Sequence, residues 1–148
     1  MKKIVFILLI LSAIAALGQS KHVNTKKGLA AKGYDVVAYF DGNAAEGNKV
    51  FSTNYEGVEY RFSTLGNKER FEKEPTKFLP AYGGYCAYAV AVSGKKVNIN
   101  PETFEIREGK LYLFYNSGNT NTLELWLQES PDELRSKADK NWQTIVER

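Results

Sequence analysis

The stretch from Lys49 to Lys73 reads KVFSTNYEGVEYRFSTLGNKERFEK. Val58-Glu59-Tyr60-Arg61-Phe62 alternates apolar with polar residues, the two-residue period of a half-buried strand. Lys49 to Tyr55 is also rich in β-favouring residues, with Val50, Phe51 and Tyr55. Glu56-Gly57 between them suits a tight connection, so the two runs predict a hairpin. Ser63 or Thr64 then offers a side-chain oxygen to cap a helix from Leu65 to Lys73. Strands followed at once by a helix place the chain in the α+β class.

Working outward, Phe104–Arg107 and Lys110–Tyr115 predict a second hairpin around Glu108-Gly109. Leu111, Leu113 and Tyr115 fall on one face and Tyr112 and Phe114 on the other. With both faces apolar, this strand is expected inside a sheet and not at its edge. Pro75 suits the first turn of a short helix ending near Leu79. Gly83-Gly84 breaks the chain before Tyr85. In Thr122–Gln128 the leucines alternate like a strand, but Leu123, Trp126 and Leu127 also fit a helical stripe, and we read a helix. Ser130-Pro131-Asp132-Glu133 has a capping-box spacing with proline at the first helical position. Leu134, Ala138, Trp142 and Ile145 then share one helix face. Upstream, Tyr34 to Phe40 reads as a strand or extended segment, and Asp41-Gly42-Asn43 as a turn. Residues 20–33 read as a polar lead-in, loose at its start. No repeat and no linker is evident. The expectation is one domain over residues 19–148, a small antiparallel sheet of hairpins with short helices and a C-terminal amphipathic helix.

Lys2 and Lys3 precede a 14-residue apolar run from Ile4 to Leu17, interrupted only by Ser12. That pattern is a secretory leader, too short for a bilayer span, with the cut expected before Gln19. The expected location is periplasmic or secreted, with no stable membrane anchor after cleavage. The leader removes two lysines and no acid, so the formal charge drops from +3 to +1. A near-neutral chain gives no reason to expect nucleic acid as a partner. One cysteine and one histidine among 148 residues exclude an internal disulfide and any two-imidazole site. No phosphate-cradling glycine loop, Ser-His-Asp set or zinc-helix motif is present. The residues favour a binding protein over an enzyme, and no catalytic residue is assigned.

Cys86 is the candidate centre of a site. Gly83 and Gly84 carry no side chains, and Tyr82, Tyr85 and Tyr88 can rim a crevice around the sulfur. Tyr34 and Asp35 are expected to complete its lining. A thiolate is both a nucleophile and a soft metal ligand, but it needs a nearby cation or helix N-terminus. The alternative is a small buried hydrophobe, which free cysteine often is. Asp35 can equally be a turn aspartate holding backbone N–H groups. His22 reads as a solvated residue of the lead-in. Three functions follow: small-ligand or soft-metal binding at Cys86 with Cys86 itself as metal ligand, thiol redox or peroxide chemistry at the same atom, or a structural or partner-binding domain in which the thiol is inert.

Several ordered blocks carry a family likeness. They are Gly33 to Phe40 (GYDVVAYF), Tyr82 to Tyr88 (YGGYCAY), Asn100 to Ile106 (NPETFEI), Gly109 to Leu113 (GKLYL) and Lys137 to Trp142 (KADKNW). Over residues 28 to 143 the chain resembles the exported YHS-domain proteins. That resemblance implies a core of an extended segment, a hairpin and a helix. The metal-site branch of the family carries D-P-V-C-G-M early and F-C-S-x-x-C at the hairpin-to-helix junction, where soft ligands suit copper or zinc. Here Ala38 and Phe40 stand in the first motif for its cysteine and methionine. In the second, Ser63 and Asn67 stand for the two cysteines. The resemblance therefore implies the scaffold without that branch's metal site, and copper remains an expectation at Cys86 alone.

Overall fold

The computed structural model describes residues 21–148, and the leader expected over residues 1–18 lies outside them. The chain is α+β. It opens with two short strands, β1 (Thr25–Lys26) and β2 (Leu29–Ala30), followed by single 3-10 turns at Ala31–Gly33 and Ala38–Asp41. Then come the hairpin β3 (Asn48–Tyr55) and β4 (Val58–Phe62), and the helices α1 (Leu65–Lys73) and α2 (Pro75–Phe78). A 3-10 turn at Ala81–Gly84 leads into α3 (Ala87–Ser93), the hairpin β5 (Asn100–Arg107) and β6 (Lys110–Phe114), and the small ribbon β7 (Asn116–Ser117) and β8 (Thr120–Asn121). The chain closes with α4 (Thr122–Gln128) and α5 (Pro131–Val146). Both predicted hairpins, the helix from Leu65 and the two C-terminal helices are present. Thr64 caps α1 through the Asn67 N–H, and Ser130 caps α5 through the Glu133 N–H. None of the described helices is long and apolar enough to cross a membrane.

Three expectations change. Tyr34–Phe40 does not extend as a strand. Asp35 Oδ1 accepts the N–H groups of Val37 and Ala38 at 2.9 and 3.1 Å, so the chain winds into a 3-10 turn despite its β-branched residues. The lead-in is not loose where it is described. Asn24 N donates to Gly83 O at 2.8 Å, and β1 and β2 pair antiparallel. Finally, β6 is not flanked by two strands of a larger sheet. It pairs with β5 along its length and with Pro80 at a single bridge. Its two apolar faces are covered separately. Leu111 and Leu113 belong to a core with Val36, Val37, Tyr39, Phe62 and Phe71, whereas Tyr112 and Phe114 belong to a core with Val90, Trp126, Leu134 and Ala138. The strand is thus a wall shared by two cores.

The structure also contains an internal repeat that the sequence reading does not find. The β3–β4 register pairs Asn48 with Phe62, then Ser52 with Arg61, with an irregularity between. The β5–β6 register pairs Asn100 with Phe114, then Phe104 with Leu113, with the same irregularity. Every residue in the second set is displaced by 52 from the first. Glu56-Gly57 and Glu108-Gly109 make equivalent turns, both residues of each having positive φ. Ahead of each hairpin lies a run of three left-handed residues, Ala31-Lys32-Gly33 and Tyr82-Gly83-Gly84. Each run is preceded by a parallel pairing onto its hairpin's second strand, Leu29 with Glu59 and Pro80 with Leu111. Asp35 N donates to Ala45 O at 2.8 Å, and Cys86 N to Val97 O at 2.9 Å. The molecule is two half-units of one design, joined side by side.

Candidate functional site

Cys86 sits at the same corner of the second half-unit that Asp35 occupies in the first, and both side chains are fully buried. Asp35 reaches across to the end of its hairpin. Its Oδ2 accepts from Ser63 N, Ser63 Oγ and Asn67 Nδ2 at 2.7–2.8 Å, while Oδ1 holds the Val37 and Ala38 amides. Five donors leave this carboxylate no free valence for a ligand. Cys86 Sγ lies 3.3 Å from Thr122 Oγ1, just past its own hairpin. The Thr122 hydroxyl spends its one hydrogen on Tyr115 O, 2.6 Å away. The thiol must therefore donate, and this contact uses the S–H form.

Cys86 belongs to the same buried core as Val36, Val37, Ile99, Leu111 and Leu113. Cys86 lines none of the cavities described below. Among the described residues no three His, Cys, Asp or Glu side chains gather where they could hold a metal ion. Sulfur and one hydroxyl do not make a copper centre, which asks for several soft donors. The crevice expected from the sequence has no opening at Cys86, because that residue is fully buried in the core it shares with Val36, Val37 and Phe62 of the first half-unit.

The remaining expected lining residues part company. Tyr34 is half-buried beside Asp35 and bridges to Glu46. Tyr88 donates to Glu129 Oε1 at 2.6 Å on the outer side of α3. Tyr82 and Tyr85 turn to a different place. Tyr82 donates to Asp139 Oδ1 at 2.8 Å, and burial together with that carboxylate raises its pKa, so the phenol keeps its proton. Both rings pack against Trp142 of α5, with centroids 6.1 and 6.3 Å away.

Trp142 stands between two cavities. One, of about 400 Å³, is walled by Tyr55, Tyr60, Leu79, Pro80, Trp142 and His22, with Glu56 also on its lining. The other, of about 510 Å³, is lined by Leu79, Tyr82, Tyr112, Lys110, Asp139 and again Trp142. The first takes its residues from the turn end of the β3–β4 hairpin, the second from the turn end of β5–β6. The cleft therefore lies where the two half-units meet, with Leu79 common to both sides. A cavity of this size, largely aromatic with a few polar groups and placed at a seam, has the make-up of a small-molecule site.

Close backbone packing builds its wall. Tyr82, Gly83 and Gly84 have φ of 55°, 60° and 81°. A side chain at Gly83 would overlap the His22 carbonyl, so the segment His22–Asn24 lies directly on this turn. A large aromatic residue held left-handed, as Tyr82 is, costs conformational energy that folded surroundings must offset. His22 Nδ1 lies 2.9 Å from Lys96 Nζ, and its ring meets Trp142 edge-on at 6.1 Å. Burial first, then Lys96 and Lys21, hold the His22 pKa below the ordinary histidine value.

Sequence reasoning missed Trp142 because its place on the α5 stripe reads as core, and His22 because a polar lead-in reads as solvated. The Gly83-Gly84 pair beside Tyr82 was the usable signal, since adjacent glycines often mark close approach of another backbone. The chain matches no family model, no curated protein and no solved structure.

Proposed function

We propose that this is an exported, non-catalytic binding module of YHS type that takes a small, largely apolar ligand against Trp142, with Cys86 as an inert core residue. The observation that carries this reading is the aromatic cleft at the seam, formed by Tyr55, Tyr60, Leu79 and Trp142. Burial of Cys86 and the donor role of its thiol favour the inert reading over metal binding or thiol redox chemistry. The hydrogen bonds from Ser63 and Asn67 to Asp35 support the family assignment. They join the two segments that bear cysteines in the metal-site branch, and tie them through a carboxylate instead of a metal.

The test is fluorescence titration with N-phenyl-1-naphthylamine, a neutral aromatic probe. Saturable one-to-one binding is expected, lost in Trp142→Ala and retained in Cys86→Ala. Binding that survives Trp142→Ala, or no binding at all, overturns the reading.

A further inference from the structure

A third hollow, of about 570 Å³, shares His22 with the Trp142 cleft. Its other polar side chains are Lys21, Lys95, Lys96 and Arg148, and among the described residues no carboxylate side chain lines it. Four cations thus gather on one lining, in a chain whose formal charge is only +1 once the expected leader is removed. The other arginines meet acids: Arg61, Arg70, Arg107 and Arg135 each pair with a glutamate or aspartate at 2.6–2.8 Å. Lys95, Lys96 and Arg148 have no such pair among the described residues. Lys21 is already engaged, donating to Arg148 O at 3.0 Å.

Lys96 is set in place before any ligand arrives. Its Nζ donates to Lys21 O at 3.1 Å, lies 2.9 Å from His22 Nδ1 and stands 5.4 Å from the centre of the Tyr85 ring. An ammonium group fixed in this way loses less freedom when an anion binds. Burial, then Lys96 and Lys21, depress the His22 pKa, and the two lysine effects mark a positive potential at this place. A carboxylate is matched by one cation, as at Arg61, Arg70 and Arg107. Several cations around one hollow fit an oxyanion of higher charge. The lining is concave, which suits a solute better than the flat surface of a bilayer.

We infer that this hollow binds a phosphate-class oxyanion carried by a soluble molecule, with the ammonium groups of Lys95 and Lys96 and the guanidinium of Arg148 as its donors. This goes beyond the Trp142 reading and does not rest on it.

The experiment is calorimetric titration of the purified protein with sodium pyrophosphate at low ionic strength. One-to-one binding is expected, weakened about fivefold by Lys95→Met and by Lys96→Met. Lys68→Met removes the same charge from α1, outside this lining, and should change the affinity by less than about twofold. Saturating pyrophosphate should also move the NMR midpoint of His22 up, because a bound anion favours the imidazolium form. Circular dichroism establishes that each variant is folded. Absence of binding, equal weakening by all three variants, or an unmoved histidine midpoint overturns the inference. So does binding to phosphatidylglycerol vesicles by a protein that ignores pyrophosphate, the mark of a membrane-facing patch. None of these outcomes decides the naphthylamine titration of the cleft.

Discussion

The Asp35 and Cys86 corners occupy the same place in two copies of one design and are held in different ways. At the first, a buried carboxylate gathers five donors from the chain before and after its hairpin. At the second, a thiol makes one side-chain hydrogen bond and is buried in an apolar core. The difference shows how one backbone corner can be closed either by polar cross-linking or by packing. It also shows why the less common residue is not the more functional one. A lone cysteine attracts attention in a sequence, but its position here is that of a packing residue inside one core.

That contrast can be broken most directly at Asp35. Asp35→Ala strands the amides of Val37, Ala38 and Ser63 in a buried site. It should cost about 4 kcal/mol in urea unfolding. A loss under about 1 kcal/mol would mean that the carboxylate organises nothing. Cys86→Ala removes one sulfur and a weak donor, and should cost only about 1–2 kcal/mol. In the same series, iodoacetamide should label Cys86 only as fast as the protein unfolds. Rapid labelling of the folded chain would place the sulfur in contact with solvent and remove the distinction between the corners.

The smallest effect concerns the strap His22–Asn24, which leads into the first half-unit and lies on the Gly83 turn of the second. The single histidine should titrate by NMR below 6.5, its ordinary value, and Lys96→Met should move the midpoint up. Since the unfolded chain takes the proton first, stability is full above about pH 6.5 and declines as pH falls toward the folded-state midpoint. A midpoint at or above the ordinary value would show that Lys96 does not face Nδ1.

Much of the scaffold was legible because it depends on short-range rules. Alternation in Val58–Phe62, the Glu-Gly connections, the Thr64 cap and the Ser130-Pro131 start all act within a few residues. The Tyr34–Phe40 segment was misread because a side chain overrode propensity, and Asp35 can do so only with partners near residue 63 in place. The repeat was hidden for a different reason. Asn48, Glu56, Gly57, Tyr60, Phe62, Gly66 and Asn67 recur identically as Asn100, Glu108, Gly109, Tyr112, Phe114, Gly118 and Asn119. Most other positions differ, and the segments before the hairpins correspond at a spacing one residue shorter. The candidate site was the least legible part. Its walls come from two hairpin ends, a turn and the last helix, and nothing local to Trp142 or His22 announces that meeting.

The bond between Asn24 and Gly83 has a consequence for how the molecule is assembled. A ribosome releases the strap long before the turn that receives it has been made. Within the first half-unit β1 and β2 have partners, but Asn24 must wait for Gly83, and the core behind the first hairpin waits for Leu111 and Leu113 of the second. The pocket is therefore among the last features to be completed, and a nascent chain halted before that turn would have no place to hold a guest.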